Sequence, residues 1–328
     1  MHMKRTFQFT ISPSNICNLK CPSCPTGRRE EQKPVQWMTP EKIQAIMTKA
    51  VGECRVPRVT FVGWCEPTLN PDLALMVRIV RDHGSACWVT TNLTAKFDMD
   101  ALLEASPEMI IVSTSGVTQR TFAVDHPGGD VAAMLDRLWY LAAHKRKGTK
   151  LLVLWHRYNY NEAEMAQMDG LCKRAGIHFC PVFGKLLGIE AMQAAFGGSR
   201  DHDAVIGRMI QHITDIKDAC FKHRKAPCRE IQRSITIDAW GRVKCCGVAY
   251  HNGFMGDYMA APIDSLIMMK ENNPFCRRCM AIGTHNWANE TMTWKRRVID
   301  RVISVGFATV GRLITIKPTM HKGLSTDQ

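Results

Sequence analysis

The stretch Cys17-Asn18-Leu19-Lys20-Cys21-Pro22-Ser23-Cys24-Pro25 decides how this chain is to be read. It follows an apolar, strand-like run from Thr6 to Ser12 and spaces three cysteines as Cx3Cx2C. Offsets of four and seven residues would also put three thiols on one helical face, but Pro22 and Pro25 lie inside the run and disfavour a helix. The segment therefore reads as a loop wrapped around a bound group. Three thiolates suit a four-iron cubane with one iron left open, and an open iron can chelate an amino and a carboxylate group.

The run resembles the signature of radical S-adenosylmethionine enzymes. The resemblance implies that Cys17, Cys21 and Cys24 hold a [4Fe-4S] cluster and that S-adenosylmethionine supplies the chelating groups. Such enzymes pass an electron to the sulfonium, release methionine and a 5′-deoxyadenosyl radical, and use that radical to take hydrogen from a C–H bond. The cofactor carries the hard chemistry, and the protein positions substrate and radical. Ser23 stands where many relatives carry an aromatic residue near the adenine. Zinc is the competing occupant of such a thiol set, but it prefers four ligands in paired spacing.

At 328 residues the chain can bury a full core, and its length suits one large domain with a smaller appendage. Fourteen cysteines would suggest disulfides in a small secreted protein. Met1 to Phe9, however, has no apolar signal core, and no stretch approaches the roughly 18 uninterrupted apolar residues of a membrane span. A reducing, cytoplasmic compartment is expected. The net charge of +13 favours anionic partners, which include membrane surface, acidic peptide and phosphorylated small molecule. Nucleic acid is the least expected of the anionic partners.

Apolar, β-branched runs at 7–11, 59–62, 88–91, 109–113, 151–155 and 177–183 make six candidate strands. Helix patterns lie between them. Thr39-Pro40 opens one, Asp72 caps a second that stops at Gly84, Asp130 opens a third, and another runs from about Asn161 to Gly176. This order predicts an α/β fold with a parallel sheet covered on its outer face. The resembled family's partial (β/α)6, TIM-like barrel has the same order, and chemistry in such sheets sits at the carboxyl ends of the strands.

Each predicted strand end carries residues of interest. After the second strand, Gly63-Trp64-Cys65-Glu66-Pro67 resembles the family's glycine-rich segment that binds the methionine amino group, which implies cofactor roles for Gly63 and Glu66. Trp64 and Cys65 replace glycines there, and Cys65 reads as a packed thiol. Thr91-Asn92 and Ser113-Thr114-Ser115-Gly116 resemble family turns, which implies cofactor contacts for Asn92 and Ser113. The run Trp155 to Asn161 is polar and aromatic. Arg157 within it is the candidate catalytic or anion-holding residue, because a guanidinium suits carboxylate and phosphate.

Farther along come Cys228, Gly241, Cys246 and the pair Cys276-Arg277-Arg278-Cys279. The pattern resembles the SPASM/twitch-type auxiliary-cluster module in its one-cluster form, which implies a second [4Fe-4S] cluster on Cys228, Cys246, Cys276 and Cys279. Cys245 beside Cys246 and Cys220 before Cys228 are alternative ligands, and structural zinc is an alternative occupant. Ser234 to Val243 reads as a β-hairpin turning at Trp240-Gly241. Cys54, Cys87, Cys172 and Cys180 fall in apolar patterns and read as core.

The expected organisation is a partial barrel over 1–215, an auxiliary-cluster domain with a β-hairpin and helix over 216–290, and a basic amphipathic C-terminal helix and tail over 291–328, with possible contact to a membrane surface. The expected activity is a radical oxidoreductase that takes hydrogen from a polar small molecule such as a sugar, aminocyclitol or nucleotide derivative, which can be anionic. An auxiliary cluster would accept the electron, and a reductant protein such as flavodoxin or ferredoxin would serve the chain. The chain begins almost at its first strand, which favours a small molecule over a peptide. A peptide-modifying maturase and a non-catalytic metal-binding module with structural zinc are the alternatives.

Overall fold

The computed structural model describes residues 4–31 and 33–288. Six strands alternate with helices: β1 (Gln8–Ile11), β2 (Arg58–Phe61), β3 (Ala86–Thr91), β4 (Met109–Thr114), β5 (Lys150–Arg157) and β6 (His178–Phe183). They pair in sequence order, each parallel to the next. Parallel neighbours need long crossovers, and the helices Pro40–Glu53, Leu73–Asp82, Val131–His144 and Glu162–Arg174 lie within these connections. Thr39 and Asp130 accept from Lys42 N and Ala133 N and so cap their helices as expected. Asp72 and Asn161 occupy the cap positions of the other two helices without a capping bond.

Alternation along the strands divides the sheet into two faces. Val89, Ile110, Val112 and Val153 pack with helix residues such as Ile43 and Leu138 in the main core. Their strand neighbours Trp88, Ile111, Leu152, Leu154 and Val182 form a smaller cluster on the opposite face. Cys54, Cys87, Cys172 and Cys180 are all buried.

On its other edge β1 pairs in parallel with β7 (Ser234–Ile237), from Gln8 opposite Ser234 to Ile11 opposite Ile237. Strands β8 (Arg242–Lys244) and β9 (Phe254–Asp257) follow antiparallel and complete the order β6-β5-β4-β3-β2-β1-β7-β8-β9. The hairpin turn falls at Trp240-Gly241, where Gly241 has φ +89 and Asp238 Oδ1 accepts from Trp240 N and Arg242 N. The expected boundary at 215/216 falls inside the helix Ile213–Lys222, and one sheet runs across it. Among the described residues no helix is long and apolar enough to cross a membrane. The expected basic C-terminal helix, with its membrane-surface contact, lies outside the described residues.

Two side-chain junctions lock this arrangement. Asn70, buried, donates to Pro13 O and Met38 O at 2.8 and 3.0 Å and accepts from Asp72 N at 2.9 Å. Asn70→Leu leaves those groups without their partners, and urea denaturation should show a stability loss of about 3 kcal/mol. His251, just before β9, bonds Glu30 at 2.7 Å and Glu31 at 2.8 Å, which ties the hairpin region to the loop after Cys24. Partial burial works against the imidazolium, but the two carboxylates prevail and raise its pKa. Burial likewise works against Glu30 and Glu31, and bonds from His251, Arg28 and Lys33 hold both low. The histidine's contribution is present in acid and lost as pH rises through its raised pKa; the glutamates' is present above their unfolded pKa and lost as pH falls through their lowered values. The Tm difference between wild type and His251→Asn should therefore be larger in mildly acidic than in alkaline buffer.

Candidate functional site

A cavity of about 760 Å³ opens at the carboxyl ends of the six parallel strands. Residues from or just beyond these ends line it: Gly63 and Glu66 after β2, Asn92 after β3, Ser113 on β4, His156 on β5 and Phe183 on β6. Cys17, Cys21 and Cys24, on the loop after β1, line the same cavity.

The cysteine loop is wound into turns. Cys24 N donates to Cys21 O at 3.1 Å and Arg28 N to Cys24 O at 2.9 Å. Gly27 closes the loop: a Cβ there would lie 2.3 Å from Cys21 O and 2.4 Å from Cys21 N, so no larger residue fits without moving Cys21. Burial pushes the Cys17 thiol up to about 12 and raises Cys21 and Cys24 as well, and the charge of Cys24 further disfavours ionisation of Cys17 and Cys21. No three His, Cys, Asp or Glu side chains among the described residues converge as ligands of one metal ion would. A cubane binds each thiolate at a separate iron, so it asks only that the thiols face a shared space. The three thiols meet that requirement.

Glu66 is the brace behind this loop. Its Oε1 accepts from Thr68 N, Thr68 Oγ1 and Thr91 Oγ1 at 3.0, 2.6 and 2.7 Å, and its Oε2 from Asn92 N at 2.7 Å. Burial nonetheless raises its pKa, with those bonds pulling the other way. Asn92 passes the connection on, donating to Asn18 Oδ1 at 3.0 Å and to Cys17 Sγ at 3.8 Å. A Cβ on Gly63 would lie 2.1 Å from Ser12 Oγ, so this glycine permits close packing against the residue after β1. Ser113 Oγ lies 2.7 Å from His156 Nε2. Trp64, in place of a family glycine, donates to Ala249 O at 3.1 Å and so reaches the hairpin region. Cys65, raised by burial to about 12, also borders the cavity.

The structure places Arg157 outside the cavity lining. Its guanidinium forks onto Glu162 at 2.9 and 2.6 Å and lies over Phe183. Strand alternation is the reason: on β5 Leu152, Leu154 and His156 share one face and Arg157 takes the other. A different charged group occupies the site. Asp125, on the helix Gln119–Asp125, lines the cavity and accepts from Tyr158 OH at 3.2 Å. Burial raises it to about 6 against bonds from Ser23 and Tyr158. Ser23, in the position of the family's aromatic residue, thus belongs to a buried polar network. His126 beside it is lowered by burial to about 4 and lies 2.9 Å from Ser115 Oγ. Lys185 and Arg229 add positive groups to the lining, and His223 adds an imidazole. No local pattern marked Asp125, Lys185 or Arg229 in the sequence; for Gly27, its place three residues after Cys24 was a usable signal.

A second cavity of about 20 Å³ is lined by five cysteines, Cys228, Cys245, Cys246, Cys276 and Cys279. Burial raises Cys228 to about 11 and Cys279 to about 12, and Cys279 Sγ accepts from Thr284 Oγ1 at 3.2 Å. Cys220 is absent from this lining; its carbonyl accepts from Asn286 Nδ2 at 3.2 Å. Cys245 and Cys246 both reach it. Like the first set, these thiols share one small space without converging on a single ion, as a four-iron cluster bound at separate irons would ask.

The loop's dependence on Gly27 is testable. Gly27→Ala should lower iron bound after anaerobic reconstitution severalfold, while Gly52→Ala, at a position with open space, should leave it unchanged.

Residues 11–168 match the radical SAM superfamily model. No curated protein matches the chain. Among solved structures, Streptococcus suis SuiB bound to S-adenosylmethionine aligns with TM-score 0.56 at 13% identity over 85% of this chain and 68% of SuiB, about two thirds of its length. BtrN in complex with AdoMet and 2-DOIA aligns with TM-score 0.51 at 14% identity over 86% and 90%. Native anSMEcpe with bound AdoMet aligns with TM-score 0.53 at 15% identity over 79% and 80%. At such identities the likeness is one of fold, and with the family match and the thiol-lined cavity it leads to one statement: this chain carries a radical SAM superfamily domain over residues 11–168.

Proposed function

We propose that the chain is a radical S-adenosylmethionine oxidoreductase acting on a polar, anionic small molecule, with an auxiliary four-iron site as electron acceptor. One observation carries the two-site reading. Residues 226–230 form a wall shared by both cavities: Ala226, Pro227 and Arg229 line the large one, and Cys228 and Glu230 line the small one. Asn286 and His285 repeat this division, and a His285 ring nitrogen bonds Ala226 O at 2.7 Å. A substrate in the large cavity would sit one layer of protein from the second thiol set.

When bound to Cys17, Cys21 and Cys24, the first cluster supplies the electron that cleaves S-adenosylmethionine to methionine and a 5′-deoxyadenosyl radical. The protein's part is placement. Glu66 and Asn92 fix the loop that presents Cys17, and Gly63 and Ser113 border the space for the cofactor's amino acid and ribose. Asp125, raised by burial to about 6, faces the same space as a group able to accept a hydroxyl proton. Lys185, His223 and Arg229 favour a substrate carrying carboxylate or phosphate, and the volume lies within the usual range for small-molecule sites of roughly 300–1,000 Å³. With both groups bound, the oxidation would balance as one hydrogen atom from the substrate to the 5′-deoxyadenosyl carbon, one proton to base or solvent, and one electron to a group held by the second thiol set. A reduced one-electron carrier such as flavodoxin or ferredoxin would supply the electron that cleaves S-adenosylmethionine, and an oxidised carrier would take up the electron left on the auxiliary site. Arg157 has no part in this reading.

The test is metal content with turnover. Anaerobically reconstituted wild type should hold about eight irons per chain and the Cys17/Cys21/Cys24→Ala variant about four. Release of 5′-deoxyadenosine under strong reductant should occur in the former and vanish in the latter. About four irons in wild type, all lost in the variant, with zinc present, would make the second thiol set structural and remove the electron acceptor.

A further inference from the structure

The helix Ile263–Asn272 buries a lysine beside the second thiol set. Lys270 is 0% exposed. Its Nζ donates to Ser234 O and to Glu230 O, the latter at 3.3 Å. Burial works against its ammonium and lowers its pKa, and the charges that oppose this are Glu230 first, then Cys246, Cys245 and Cys228. Taking an ammonium out of water costs several kcal/mol, and two carbonyl acceptors recover only part of that. Its place in the helix's last turn adds roughly 0.3–1 kcal/mol from the helix dipole, which is too little to balance the cost. On packing grounds alone a methionine would fill the position. A second ammonium repeats the pattern: Lys244, 5% exposed, donates to Tyr250 O at 3.0 Å, and burial lowers its pKa against the charges of Cys246, Glu190, Asp238 and Cys245. Glu230, Glu190 and Asp238 answer part of this positive charge, and an occupant with net negative charge on the thiols would answer the rest.

We infer that Lys270 is a positioning residue for electron transfer: its fixed positive charge holds the reduction potential of the auxiliary site high enough to accept the substrate's electron. The inference rests on the auxiliary-cluster reading proposed above. The physical basis is that a four-iron cluster on four thiolates is already anionic and gains a further negative charge on reduction. A buried cation nearby stabilises the reduced form more than the oxidised one. In a medium of low dielectric, shielded from water and salt, that difference is larger than the same charge would make in water. Glu230 opposes the effect, and Lys244 supplements it.

The experiment uses the full chain in the Cys17/Cys21/Cys24→Ala background, where any remaining cluster is the auxiliary one. Iron and sulfide are counted, and the midpoint potential is read by redox titration followed by electron paramagnetic resonance. Lys270→Gln, which keeps a donor but removes the charge, and Lys270→Met, which removes both, should each lower the potential at unchanged iron content. Lys270→Arg, which keeps the charge, should hold it near the background value. A merely structural staple would lower Tm in the methionine variant and leave every potential alike, and that result would overturn the inference. Equal shifts in the glutamine and arginine variants would also overturn it, because charge would not be the cause. Absence of any cluster from the background protein would instead remove the auxiliary-cluster reading, and this inference with it.

Discussion

Strand β1 carries a parallel ladder on both of its edges, and the site depends on that constraint. With β2 on one side and β7 on the other, β1 has no free edge, and the loop leaving its carboxyl end emerges between two flanking walls. That loop holds Cys17, Cys21 and Cys24. The pairing with β7 also draws the preceding segment, residues 226–230, against the cavity, because a strand parallel to β1 must be entered from the far end of the sheet by a chain returning along the site. Two thiol sets more than 200 residues apart in sequence thereby become neighbours across one segment of chain.

Buried polar groups then give the site its shape. Glu66 accepts four hydrogen bonds and ties β2, β3 and the cysteine loop together through Asn92. A buried carboxylate so fully satisfied is a rigid joint, since releasing it would strand several donors at once. Asp125, Ser23 and Tyr158 make a second such network on the opposite side of the cysteines. Steric limits at Gly27 and Gly63 complete the frame. The protein thus holds a cavity whose lining carries three thiols, the cations Lys185 and Arg229, and the Asp125 carboxyl that burial raises to about 6.

Much of this was legible in the sequence, and the residues show why. Six strand patterns and four helix patterns lie within about two residues of the strands and helices found, because continuous apolar runs and cap residues report local physics. The hairpin turn at Trp240-Gly241 was legible for the same reason. Arg157 shows the limit. Side chains on a strand alternate faces, and composition cannot tell which phase faces the cavity; His156 points in and Arg157 pairs with Glu162. The networks of Asn161 and Asp125 are similar cases. Asn161 occupies a cap position, yet its side chain binds Tyr158 N, His156 O and Ser115 O, a choice made by β4 and β5 lying side by side.

By itself the sequence determined the chemistry that needs only spacing: a prolyl-interrupted Cx3Cx2C loop after a strand, a parallel α/β order, and a second group of cysteines around a hairpin. Spacing suffices there because ligands on one loop are brought together by a few dihedral angles. Tertiary structure alone decided which of the remaining residues meet. Lys185 and Arg229 reach one cavity, Lys270 is buried on the Glu230 and Ser234 carbonyls beside the other, and Cys220 is left out of the lining while both Cys245 and Cys246 enter it. These placements arise from packing between elements distant in sequence, where each contact depends on the phase and register of two others, and a linear pattern carries no record of either.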